Sequence, residues 1–310
     1  MKITHVNEHI HLIDLEPVGI KDFIASYVLK GKHVAIVETG PVSTVQNLIS
    51  GLKELNVEPE DVAYVAVSHI HLDHGGGAGT LLECLPKAKL IVHQRGVPHI
   101  ANPEKLWAQS QEALGSIAAM YGEPEPVPID RIVAARDGMS FDIGNGVTLN
   151  VVETLGHASH HLSYYEKSSK GIFTGDAAGI YLNKLDVIVP TIPPPFRLDV
   201  ALASLKELIN LKPEVLYYSH FGKACNAVEK LQAYIRQLKL WAKIAKQETE
   251  KGENLKAIGK RILESDSALQ KGAEYIRNHP VLSKTVFNQS VEGIMEFVEK
   301  FGNVSDFRLR

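Results

Sequence analysis

The sequence predicts an α/β protein in which helices cover β-sheets and a helical appendage follows at the C-terminus. Three observations carry this. Short apolar, β-branched runs alternate with stretches of helical periodicity through most of the chain. Four of those runs end at a His or an Asp. From about residue 224 the pattern turns helical: Leu231, Ile235, Leu238, Trp241 and Ile244 recur at helical spacing between charged residues.

Strands are expected near residues 3–6, 9–15, 23–29 and 33–38. A helix is expected at about 43–55, capped by Ser43 or Thr44, because Val45, Leu48, Ile49, Leu52 and Leu55 share one helical face. A strand at 62–68, a helix at about 78–85 and a strand at 89–93 follow. Residues 97–121 interrupt the strand pattern. Leu106, Trp107, Leu114, Ile117 and Met120 mark one or two amphipathic helices there, either a packing or dimer surface or a wall over an active site. Glu123-Pro124-Glu125-Pro126-Val127-Pro128 reads as an extended connector. Residues 190–197, rich in proline, form a stiff segment that either holds Phe196 near a site or serves as a rigid connector. The helical sequence beyond 224 breaks near Asn278-His279-Pro280. The expected domains are residues 1–223, with the 97–121 insertion, and a helical region at 224–310.

The richest stretch is His69-Ile70-His71-Leu72-Asp73-His74, followed by Gly75-Gly76-Gly77. Four candidate metal ligands fall within six residues, directly after the strand-like run Val62-Ala63-Tyr64-Val65-Ala66-Val67. Imidazoles and a carboxylate on a turn leaving a rigid strand can close around an ion without a long-range entropy penalty. Three further endings extend the set. His157 follows Val147-Thr148-Leu149-Asn150-Val151-Val152, Asp176 follows the short run at 171–173, and His220 follows Val215-Leu216-Tyr217-Tyr218. Such ligands converge when their strands share an edge of one sheet. A lone His-x-His in a loop is more often incidental than metal-binding. The complete signature with three ordered downstream ligands is not.

This order of motifs resembles the metallo-β-lactamase superfamily, and within it the glyoxalase II-like hydrolases, over about residues 1–225. The resemblance implies an αβ/βα sandwich of two mixed β-sheets flanked by helices. It implies that His69, His71 and His157 hold one metal, that Asp73, His74 and His220 hold a second, and that Asp176 bridges them. Two departures stand out. Glu38 replaces the Asp of the family's Asp-Thr-Gly turn, and Ala158 and His160 replace the Thr and second Gly of its Gly-His-Thr-x-Gly-His motif.

The implied activity is hydrolysis of a small ester, thioester or lactone by metal-bound hydroxide. Two divalent ions about 3.5–4 Å apart can activate a shared water and polarise a carbonyl. Asp73 is the candidate catalytic residue, orienting the nucleophile and carrying its proton. The thiolate-free ligand set suits zinc, iron or manganese, with zinc the first expectation. A mononuclear iron persulfide dioxygenase of the same fold, using His69, His157 and Asp176, is the main alternative. A phosphodiesterase and a metal-stabilised binding protein without turnover are weaker ones. Tyr181 is a candidate hydrogen-bond donor to a substrate carbonyl, and His160 a candidate pocket residue.

With 310 residues, 45% hydrophobic and 22% charged, the chain can bury a sizeable core. Its net charge of -3 argues against non-specific nucleic-acid binding. No apolar stretch approaches the roughly 18–20 residues that span a bilayer. The two cysteines, Cys84 and Cys225, form no CxxC pair, so a disulfide scaffold is not expected and a reducing cytoplasm fits. The implied activity makes a small molecule the expected partner, with a homodimer as a further expectation. Cys84 reads as core filler on a helix.

Overall fold

In the computed structural model, which describes residues 2–302, the apolar runs form two mixed sheets. Met1 and residues 303–310, the outer ends of the two expected domains, lie outside the described residues. Strands β1 (Lys2–His5), β2 (Ile10–Asp14), β3 (Ala25–Lys30), β4 (Val34–Val37), β5 (Val62–Ala66), β6 (Lys89–His93) and β7 (Ile132–Ala135) make the first sheet in that order. Pairing is antiparallel from β1 to β4 and parallel from β4 to β7. Parallel neighbours need crossovers. Helix α1 (Val45–Glu54) supplies the one between β4 and β5. Helices α2 (Leu72–Gly75) and α3 (Ala78–Cys84) supply the next, and α4 (Val97–Ala101), α5 (Glu104–Leu114) and α6 (Ser116–Tyr121) the last.

The chain continues through β8 (Ser140–Gly144), β9 (Val147–Glu153), β10 (Leu162–Glu166) and β11 (Gly171–Gly175). A separate hairpin of β12 (Ile180–Leu182) and β13 (Val187–Val189) comes next, then α7 (Leu198–Asn210). Strands β14 (Val215–Tyr218) and β15 (Gly222–Cys225) complete the second sheet, ordered β15-β14-β11-β10-β9-β8. Helices α8 (Ala227–Glu250), α9 (Leu255–Ser265), α10 (Ser267–Asn278) and α11 (Phe287–Phe301) follow.

Two compact units result. The first holds the described residues to Glu153 together with His160–Gly175 and Glu214–Cys225, and so contains both large sheets. Their facing sides supply one core: Leu12, Tyr27, Val37 and Ile91 from one, Leu149, Tyr164, Phe173 and Tyr217 from the other. Each large apolar side chain buried this way is worth about 1.5–3 kcal/mol. The buried tyrosines also need polar partners. Tyr27 donates to the Tyr218 carbonyl and Tyr164 to the Val67 carbonyl, both at 2.7 Å, which ties each sheet to the other near the ends of β14 and β5.

The second unit holds Thr154–Ser159, Asp176–Pro213 and the described residues from Asn226 onward. It therefore takes in the hairpin and α7 as well as the C-terminal helices. Its polar hub is Asp266, only 3% exposed. One carboxylate oxygen accepts from Trp241 and Gln237, while the other caps α10 by accepting from the Ala268 and Leu269 amides.

Four sequence expectations need correction. The strand ends that carry the candidate ligands belong to both sheets: β5 to the first, β9, β11 and β14 to the second. Thr44 holds the cap position of α1, but its hydroxyl donates to the Pro41 carbonyl and makes no capping bond to the helix, which a 3-10 turn at Val42–Thr44 precedes. Residues 97–121 form three helices, broken at Gly115, whose φ of +55° lies in the region glycine tolerates best. Cys84 is exposed, because α3 buries the face of Ala78, Leu81 and Leu82 and turns position 84 outward.

Candidate metal centre

In the first unit, β5 ends at Ala66 and the chain turns through Ser68, His69 and His71 into α2, which carries Asp73 and His74. The turn is pinned on several sides. The Leu162 amide donates to the Ser68 carbonyl at 2.7 Å, and the Thr39 hydroxyl donates to the His74 carbonyl at 2.8 Å. Gly175, at φ +52°, closes over it: a Cβ there would lie 2.5 Å from the Ser68 Cβ and 2.6 Å from His161 Nε2. His220 enters from the end of β14, where the Ser219 carbonyl accepts from the Ala25 amide at 2.8 Å.

His69 and His74 are fully buried and His220 is 2% exposed. Their partners fix the ring tautomers. His220 Nδ1 donates to the Phe23 carbonyl at 2.7 Å. His74 Nδ1 faces the Glu38 carboxylate at 3.2 Å. In each neutral ring the remaining Nε2 then presents a lone pair. Those two Nε2 atoms are 3.3 Å apart, and Asp73 Oδ2 lies 3.9 Å from that of His74 and 3.4 Å from that of His220. Three potential ligand atoms thus converge, and the two-imidazole, one-carboxylate set fits a divalent cation. His69 and His71 offer a second convergence, with His69 Nε2 at 2.8 Å from His71 Nδ1.

In the second unit, His157 and Asp176 repeat the pattern. His157 Nδ1 donates to the Thr191 carbonyl at 2.8 Å, and its Nε2 faces Asp176 Oδ2 at 3.5 Å. A small recess beside them is lined by Phe196, Ile192, Tyr234 and Leu238.

Glu38, which the sequence marked only as a departure from a family turn, is fully buried at the centre of a polar cluster. Its carboxylate accepts from the Ser68 amide (3.1 Å), the Ser219 hydroxyl (2.8 Å) and His74. Ser68 and Ser219 went unnoticed in the sequence, though each immediately precedes a candidate ligand. The ring of His161, the last residue of the motif at 156–161, stacks on His69 with centroids 4.9 Å apart. The rings of His160 and His71 lie 5.9 Å apart. Tyr181 donates its hydroxyl to Asp186 at 2.8 Å and does not line the recess. Phe196 does line it, and packs on Phe297 with centroids 6.4 Å apart.

Two mixed sheets flanked by helices, with His and Asp clusters at strand ends, define a recognisable class. The Metallo-beta-lactamase superfamily model matches residues 19–220, and the chain belongs to that superfamily. The metallo-beta-lactamase fold-containing protein ST1585 of Sulfurisphaera tokodaii is 30% identical over 217 residues, 69% of this chain and 78% of that one. Its crystal structure superposes with a TM-score of 0.65 over 75% of this chain and 86% of that chain. The family protein TTHA1429 of Thermus thermophilus, at 19% identity, shares the fold over 96% of this chain and 95% of that one, with a TM-score of 0.70. The N-acyl homoserine lactonase AttM of Azorhizobium caulinodans is 32% identical over 136 residues, covering 43% of this chain and 48% of the lactonase. No helix among the described residues is long and apolar enough to cross a membrane.

Proposed function

We propose that this protein is a binuclear metal-dependent hydrolase of a small ester, thioester or lactone. The observation that carries the reading is the convergence of potential ligand atoms. His74, His220 and Asp73 bring their potential ligand atoms together, and His157 and Asp176 do the same. By likeness to the superfamily, His69, His71 and His157 would hold one ion and Asp73, His74 and His220 the other, with Asp176 the residue they would share. When bound, such a pair lowers the pKa of a coordinated water and polarises the substrate carbonyl.

The chain's own groups do the rest. Asp73 is the most accessible carboxylate of the set, its side chain 23% exposed, so it can orient a water and carry its proton to the leaving group. Glu38 and the Phe23 carbonyl hold His74 and His220 in one tautomer, so neither ring has to reorganise during turnover. Phe196 gives the recess an apolar wall against which an acyl chain can pack. Likeness to a lactonase supports an acyl substrate of this class. The test is a panel of esters, thioesters and lactones under argon, with zinc or manganese supplied. We expect hydrolysis of at least one class. Iron-dependent oxygen consumption with a persulfide, with no anaerobic hydrolysis of any substrate tried, would instead establish a dioxygenase.

A further inference from the structure

The second unit contains a device that bears on His157 from the far end of the sequence. His157 Nδ1 donates to the Thr191 carbonyl, which helps to orient the ring. The peptides around that carbonyl are gripped by the C-terminal helices. Ser290, fully buried on α11, accepts from the Ile192 amide at 3.1 Å and donates to the Pro190 carbonyl at 3.0 Å, so one hydroxyl straddles Thr191. One turn on, Gly293 lets α11 approach so closely that a methyl group there would overlap the Ile192 carbonyl oxygen. From α8, the buried Tyr234 packs into the recess that His157 and Ile192 line. Ser and Gly are both poor helix-interior residues, Gly by about 1 kcal/mol against Ala. Their placement three apart, on the face that meets residues 190–192, points to a role in holding that segment.

We propose that Ser290 and Gly293 of α11, with Tyr234 of α8, are positioning residues for the metal ligand His157. They fix the backbone of Pro190–Ile192 and thereby the carbonyl that sets the tautomer and aim of the imidazole. The C-terminal helices thus form part of the metal centre's support. This rests on the reading of His157 as a ligand. Carbonyls and carboxylates that orient ligating histidines typically contribute about 10–100-fold in metal affinity.

The experiment is titration of metal-free, full-length protein with Co2+, read by its visible absorption band, alongside thermal unfolding. The variants are Ser290→Ala, Gly293→Ala, Tyr234→Phe, His157→Ala and, as a control of lowered stability elsewhere in the unit, Ile276→Val. We expect His157→Ala to lose one Co2+ site. Ser290→Ala should weaken that same site by about 10–100-fold and alter its band, while Ile276→Val leaves both unchanged. Should Gly293→Ala fail to fold, Ser290→Ala, which removes a single oxygen, decides alone. A folded Ser290→Ala with wild-type affinity and spectrum overturns the inference while leaving the hydrolase reading intact, provided His157→Ala loses its site. A His157→Ala protein that keeps both sites overturns the ligand assignment and the inference with it.

Discussion

The Glu38 carboxylate and the His74 imidazole meet 3.2 Å apart, and neither side chain is exposed to solvent. Glu38 reaches that position from a backbone at φ +71°, a conformation that costs a non-glycine residue on the order of 1 kcal/mol. The conformation is held from both sides: the Glu38 amide donates to the Ala66 carbonyl at 2.9 Å, and its own carbonyl accepts from the Ser26 hydroxyl at 2.7 Å. Such strain concentrates where a site requires it. Here it delivers a carboxylate to His74 Nδ1, an arrangement that would direct Nε2 toward a metal.

Glu38→Gln should therefore weaken zinc binding by about 10–100-fold, because the amide has one acceptor oxygen for three donors. Competition against a coloured chelator measures this. Unchanged affinity would mean that Glu38 does not set the His74 tautomer.

Asp73→Asn keeps the side-chain shape and removes the charge facing His74 and His220. Hydrolysis should fall at least about a hundredfold, the lower range for a lost general base, with circular dichroism unchanged. Near wild-type turnover would show that Asp73 carries no proton in the reaction.

Much of this site was legible in the sequence because short-range spacing and strand endings are local signals. His69, His71, Asp73 and His74 sit on one turn, and β5 and β14 begin at the positions their apolar runs mark. What could not be read depends on partners far apart in the chain. Nothing local says that Glu38 meets Ser219, 181 residues on, or that Ser290 meets Pro190, 100 residues back. Periodicity read Cys84 as core because it cannot tell which face of a seven-residue helix turns inward. It likewise found helices between 97 and 121 without locating the break at Gly115, which is a backbone property.

Phe196→Leu keeps an apolar side chain in the recess but shortens its wall. Relative rates across acyl chains of different length should change while metal content stays at the wild-type value. Lost metal with unchanged relative rates would assign Phe196 to the centre's support and not to specificity.

Metal removal should lower the melting temperature, because the folded state loses the ion that the clustered Asp73, His74 and His220 would bind. Zinc restored at a hundred times its dissociation constant should recover about 2.7 kcal/mol by mass action. Calorimetry with and without chelator makes the comparison. Identical melting in both conditions would mean that the folded state gains nothing from the ion.

The most direct measurement is the hydrolysis rate of metal-free protein, on whichever substrate the anaerobic panel identifies, as zinc or manganese is added in known equivalents. The binuclear account predicts that bound metal and rate rise together and level off at two ions per chain. Saturation of both at one ion, with no gain on further addition, would contradict it.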